Sequence, residues 1–154
     1  MHDIRIANIH DAAFTPFVYP DGLALGDGVL QLDTGIPLGT GFHVYKMPPG
    51  MTSRSHRHNG HEQFLILEGE LHESDGTILR AGDMVFYRDG TEHNSFTPTG
   101  CLLAVHIVAE ETPVESPSAG FSSAGRSYSG FVSPGLTPPS PPEPSVGSEP
   151  GTLW

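Results

Sequence analysis

Gly50-Met51-Thr52-Ser53-Arg54-Ser55-His56-Arg57-His58-Asn59-Gly60-His61-Glu62-Gln63-Phe64-Leu65-Ile66-Leu67-Glu68-Gly69 is the stretch on which the reading of this chain turns. Side chains on a strand alternate faces, so His56 and His58 point the same way. Asn59-Gly60 lets the chain turn before Glu62, and Glu62 opens an apolar run. Two imidazoles and a carboxylate gathered on one inner face suit a divalent transition metal. The set is a ligand short, and His93 in the next segment is best placed to complete it.

On either side of this stretch the chain reads as short strands. Phe42 to Met47 is one, stopped by Pro48-Pro49-Gly50. Phe64 to Leu67 is apolar on both parities, which predicts a strand buried on both faces. Glu70-Leu71-His72-Glu73 and Thr77-Ile78-Leu79 are joined at Ser74-Asp75-Gly76, a hairpin signal. Met84-Val85-Phe86-Tyr87, the segment holding His93, and Cys101 to Val108 follow, separated by Gly- and Pro-bearing turns. Residues 1–40 carry only short apolar pieces such as Val29-Leu30-Gln31-Leu32 between turn residues. Short strands at this spacing, without helical period, predict an all-β antiparallel sandwich or barrel.

Composition bounds the rest. A chain of 154 residues favours one domain. From Glu110 onward Pro, Ser and Gly dominate, so residues 1–111 are expected to form the domain and 112–154 a disordered tail, extended around Pro138-Pro139-Ser140-Pro141-Pro142. The formal net charge of -11 argues against nucleic acid as a partner and against docking on an anionic membrane. One cysteine, Cys101, no signal-peptide pattern and no transmembrane run point to the cytoplasm.

These residues resemble the cupin superfamily. Its first motif sets Gly, His-x-His, Glu and Gly at fixed spacing, and Gly50, His56, His58, Glu62 and Gly69 stand at each position. Its second motif is met by Gly82, Gly90 and His93, with Arg88 in place of the expected proline and Thr97 in place of the expected asparagine. Both departures fall on backbone-shaping positions, which leaves the conformation of the 88–97 turn open. Glu68-Gly69-Glu70, Ala81-Gly82-Asp83 and Gly100-Cys101-Leu102 also look like the cupin domain of zinc-binding anti-sigma factors. The residues before the motifs are too few and not helical enough to match the helical sigma-binding domain of those regulators.

The resemblance implies a double-stranded β-helix, or jelly-roll barrel, in which His56, His58, Glu62 and His93 hold one divalent ion: Fe, Mn, Ni, Cu or Zn. It implies a small-molecule substrate or ligand and a homodimer. Three functions are compatible with it. One is a dioxygenase-type oxidoreductase acting on a small enolic or aromatic molecule, with Glu62 doubling as a proton acceptor. The others are a zinc- or ligand-binding regulatory module without turnover, and a metal-assisted isomerase or decarboxylase.

Other residues carry weaker expectations. His61, Glu92 and Asn94 should face away from the metal, and His72 should be solvent-exposed. His43, Tyr45 and Met47 share one parity and are candidates to line the pocket, as are Phe42, Val44 and Lys46 on the other. His106 reads as a hydrogen-bonded core residue and Cys101 as a small buried hydrophobe. Arg54, Arg57 and Arg88 are candidates to steer an acidic substrate.

Overall fold

The structure, a computed structural model, describes residues 4–115. In chain order the strands are β1 (Thr15–Val18), β2 (Ala24–Leu30), β3 (Gly41–Met47), β4 (His56–Arg57), β5 (Glu62–Glu73), β6 (Ile78–Arg80), β7 (Met84–Tyr87), β8 (Glu92–His93), β9 (Ser95–Phe96), β10 (Cys101–Ile107) and β11 (Thr112–Pro113). The described chain is all-β, as the turn-punctuated sequence predicts, and curls into a jelly-roll barrel. Among the described residues no helix is long and apolar enough to cross a membrane.

The main sheet runs β1-β2-β3-β10-β5-β6, and β7 and β9 also pair with β5. A small second sheet runs β11-β4-β8. The longest strand, β5, therefore takes part in most of the barrel: Glu62–Leu65 pair with β7, Glu70–His72 with β6, and His72–Glu73 with β9. The Asp75-Gly76 hairpin joins β5 to β6, closed by Glu73 N–H donating to Thr77 O at 2.8 Å.

Alternation of side chains fills most of the barrel. Phe64 and Ile66 of β5, Leu103 and Val105 of β10 and Met47 of β3 point inward and are buried, joined by Leu71 and Leu79. Each such side chain removed from water stabilises the fold by roughly 1.5–3 kcal/mol. Leu65 and Leu67, on the opposite parity, are half-buried and not fully covered; on the same outer side Phe14 packs against Gly28 and Lys46 and Val44 is buried, so the cover there is partial. On that outer face Phe42, Met84 and Phe86 are 68%, 72% and 52% exposed. His106 lies there too and is exposed; it is not the core residue its apolar neighbours suggest, because β10 turns the alternate residues Leu103, Val105 and Ile107 inward. Cys101 is buried, as expected, and free.

One irregularity decides what the far half of β5 does. The pairing with β10 shifts register between Leu102 and Leu103, which face Glu68 and Ile66, so Leu67 is left as an extra residue. Such a bulge flips the parity of the strand. Even-numbered residues point inward before it (Glu62, Phe64, Ile66) and odd-numbered ones after it (Leu71, Glu73). Gly69 follows the bulge at φ +81°, and a Cβ there would lie 2.0 Å from Gly100 O. Only glycine fits that approach.

The expected tail begins at residue 112. Thr112 and Pro113 form β11 against β4, and residues 116–154 lie outside the described residues.

Candidate metal centre

The second sheet brings the histidines together. In the antiparallel pairing of β4 with β8, His56 stands directly opposite His93, so two residues far apart in sequence share one face. His58 lies just past β4. Its N–H donates to Thr91 O at 3.0 Å and its carbonyl accepts from Gly90 N–H at 2.9 Å, which continues the same ladder. Glu62 opens β5 on the facing wall. One donor atom from each of His56, His58, Glu62 and His93 falls in a group whose members all lie within 4.8 Å of one another.

Two of the imidazoles are oriented from behind. His56 Nδ1 meets Arg54 O at 2.8 Å, and His93 Nδ1 meets Glu73 Oε2 at 2.7 Å. With Nδ1 donating in each case, Nε2 is left as a lone pair aimed at the centre. Glu73 is itself buried and also accepts from Ser95 Oγ at 2.8 Å. The Tyr87 ring stacks on His58 at 5.4 Å between centroids and packs 4.4 Å from the His93 ring.

The donor set fits a cation. Buried polar atoms without a hydrogen-bond partner are costly and uncommon. Among the described residues they are His56 Nε2, both ring nitrogens of His58, Glu62 Oε2, His93 Nε2, and one atom elsewhere, Asp27 Oδ1. Five of the six therefore belong to the four clustered residues, one donor atom from each facing the others. His58 is fully buried, with Nε2 3.3 Å from Glu62 Oε2. Three imidazoles and a carboxylate are the ligands that divalent transition metals accept, and one such ion would satisfy one orphaned atom from each of the four residues.

Protonation follows from burial. Desolvation pushes the Glu62 carboxyl up to about 8, with the negative charge of Glu111 adding to it. Desolvation holds His58 down at about 4, and positive charge on His56 and His93 acts in the same direction. Burial would lower His56 too, but the Glu111 carboxylate beside it outweighs that and leaves its pKa raised.

The centre opens onto a cavity of about 410 Å³. His43, Tyr45 and Met47 line it, which selects that parity of β3, with Phe64, Leu103 and Val105 on the adjoining wall. Tyr45 donates its phenolic hydrogen to the buried Asp27. Arg54 stands at the rim, paired with Asp21 at 2.6 Å, whereas Arg57 and Arg88 are exposed outside the cavity. His61 faces away and is exposed, accepting from Asp89 N–H at 3.2 Å. His72 is half-buried against Glu70 at 2.7 Å and does not reach the centre. Glu92 is exposed and Asn94 half-buried.

The departures in the second motif do not disturb His93. Thr97 is fully buried, and its hydroxyl donates to Glu70 O at 2.7 Å. Its backbone bonds to Gly50 and Met51 at 2.8 and 2.9 Å, so it ties the end of the turn to the start of the first motif.

Comparison with known proteins agrees with this geometry. The ChrR Cupin-like domain family matches residues 28–109. No curated protein matches the sequence. Among solved structures, the polyketide cyclase RemF from Streptomyces resistomycificus superposes with TM-score 0.58 at 18% identity, over 75% of this chain and 89% of that one. The acetylacetone dioxygenase from Acinetobacter johnsonii gives 0.51 at 14% identity, over 75% and 80%. The complex of Rhodobacter sphaeroides SigE with the anti-sigma ChrR gives 0.50 at 20% identity, over 68% of this chain and 50% of that one. At these identities the likeness to each structure is one of fold.

Proposed function

The chain belongs to the ChrR Cupin-like domain family, and on that premise we propose that it is a metal-dependent, dioxygenase-type oxidoreductase acting on a small enolic or aromatic molecule. His56, His58, Glu62 and His93 hold the metal in this reading. The observation that carries it is the cavity of about 410 Å³ whose apolar wall ends on the orphaned donor atoms of His56, Glu62 and His93, with His58 buried behind them. A site that only stored an ion would need no room beside it.

A bound Fe, Mn, Ni or Cu ion supplies Lewis acidity and, for the redox-active metals, electron transfer with dioxygen. The chain's own residues do the rest. Phe64, Leu103 and Val105 present a dry wall that takes a flat carbon skeleton and excludes water. Glu73 fixes the His93 ring, and Tyr87 packs His58 and His93 in place. Glu62 doubles as a proton acceptor for the substrate when its carboxylate swings off the metal. Unchanged turnover in Glu62→Gln would exclude that role. The partners in this reading are the small molecule and, through the outer face bearing Phe42, Met84 and Phe86, a second copy of the chain. The single cysteine, buried and unpaired, suits the cytoplasm.

The family match favours a second reading, a zinc-binding regulatory module without turnover. Metal analysis of protein purified without chelator or affinity metal separates the two, followed by oxygen uptake with acetylacetone and catechol as probes. About one equivalent of a redox-active metal and oxygen consumption support the oxidoreductase. Tightly held zinc with no uptake on either probe supports the regulator.

A further inference from the structure

A fifth candidate donor reaches the centre from beyond the motifs. In the pairing of β11 with β4, Thr112 faces Arg57 and Pro113 faces His56. The next antiparallel step sets Glu111 opposite His58, on the face that carries His58 into the centre. Its Oε1 lies 3.1 Å from His56 Nε2 and 3.7 Å from His58 Nδ1. Both nitrogens are among the orphaned atoms, so the carboxylate stands beside them without satisfying either by a well-directed hydrogen bond.

The segment that carries Glu111 is pinned on both sides of it. Asn59 Nδ2 donates to Glu110 O and to Thr112 Oγ1, each at 2.8 Å. Val114 N–H donates to Ser55 O at 3.0 Å. The strap 110–114 thus crosses the small sheet next to β4, and Glu110, Glu111 and Pro113 form part of the cavity wall. The carboxylate pairs with His56 and stands beside the donor atoms of the centre; its side chain is 29% exposed, near enough to solvent to move and near enough to His56 to share a ligand.

We propose that Glu111 is a further metal-ligating residue of this centre, held at its open side by the strap 110–114, so that a substrate must displace its carboxylate to reach the ion. The proposal rests on the metal reading of His56, His58, Glu62 and His93. It assigns the strap a role in access: the motif residues stay in place while one carboxylate on a short surface segment swings out. Asn59, the residue after His58, is then a positioning residue that holds the strap shut through two bonds.

Cobalt(II) titration of the full chain tests it, with affinity read by chelator competition and imidazole as a neutral exogenous ligand read by visible absorption. In Glu111→Gln and in Glu111→Asp, cobalt affinity is expected to fall about tenfold and imidazole affinity for the loaded protein to rise about tenfold. Glu111→Asp keeps the charge but withdraws the carboxylate by one methylene, so it separates ligation from electrostatics and stands in if the Gln variant misfolds. Glu115→Gln, which removes an exposed charge just beyond the strap, should match wild type in both readouts. Wild-type values for cobalt and imidazole in Glu111→Asp would overturn the assignment of Glu111 while leaving the four-residue centre standing. Failure of the wild-type chain to bind cobalt would overturn both.

Discussion

Replacing Glu62 by Gln should make the metal-free protein more stable, and increasingly so as pH rises. Glutamine mimics the protonated acid that burial favours. In the folded state the Glu62 carboxyl titrates at about 8, against 4.5 when unperturbed. A folded-state value above the unfolded one means the folded protein binds the extra proton, so stability is fully present below about pH 4.5 and is lost as pH rises towards 8. Integrating between those two values, ionisation of Glu62 costs roughly 1 kcal/mol at about pH 5 and roughly 4 kcal/mol at about pH 8, using 1.36 kcal/mol per unit. The gap between variant and wild type should therefore widen by on the order of 3 kcal/mol across that interval. Urea unfolding with chelator present, at both pH values, measures it. Comparing the two proteins at each pH cancels most of the contribution of His58 and other groups common to both. Added metal should reverse the order, because the ion stabilises only the chain that retains the carboxylate. A variant-minus-wild-type difference that stays flat from pH 5 to pH 8 would refute the reasoning, since it would mean that Glu62 is not held protonated by its surroundings.

Glu73→Gln should weaken metal binding by about 10- to 100-fold, measured by chelator competition, because His93 loses the anion that orients its ring. Gly69→Ala should cost more than about 2 kcal/mol of stability in thermal or urea unfolding, since its Cβ meets Gly100 O and its φ is positive. If the outer apolar face is a subunit contact, Met84→Glu with Phe86→Glu should convert a dimer to a monomer in sedimentation experiments at unchanged circular dichroism. A wild-type chain that already sediments as a monomer would remove the contact.

The His-x-His to Glu spacing made three of the four clustered residues legible because it depends on two local rules, strand alternation and a turn at Asn59-Gly60, whereas His93 joins them through the pairing of β8 with β4. The fold was legible for a similar reason: Gly- and Pro-bearing turns divide the chain at intervals that only short strands can fill. Glu73 was not legible. Counting by twos from Glu62 puts Glu70 and His72 inside the barrel, and the bulge at Leu67 reverses that count. A bulge depends on where a neighbouring strand pairs, which no window of sequence contains. Glu111 was hidden by composition, because the Pro- and Ser-rich region that begins beside it reads as tail. The signal that marks it is the pairing of β11 with β4, a contact between residues 55 and 57 positions apart. Burial leaves His58 neutral above about 4 and moves much of the titration near neutral pH to Glu62.

The charge around the closed site constrains what could open it. Three imidazoles that ligate are neutral, and Glu62 and Glu111 together would offset the two positive charges of a divalent ion; Glu73, hydrogen-bonded to His93, adds a further carboxylate behind that ring. With Glu111 in place the group would therefore lean negative rather than neutral. A neutral ligand that displaced Glu111 from the ion would relieve that excess, whereas an anion would keep it beside the apolar wall of Phe64, Leu103 and Val105. An enol or catechol that arrives neutral and hands its proton to the displaced carboxylate would bind without changing the net charge. That is the form in which the proposed substrate would fit this site.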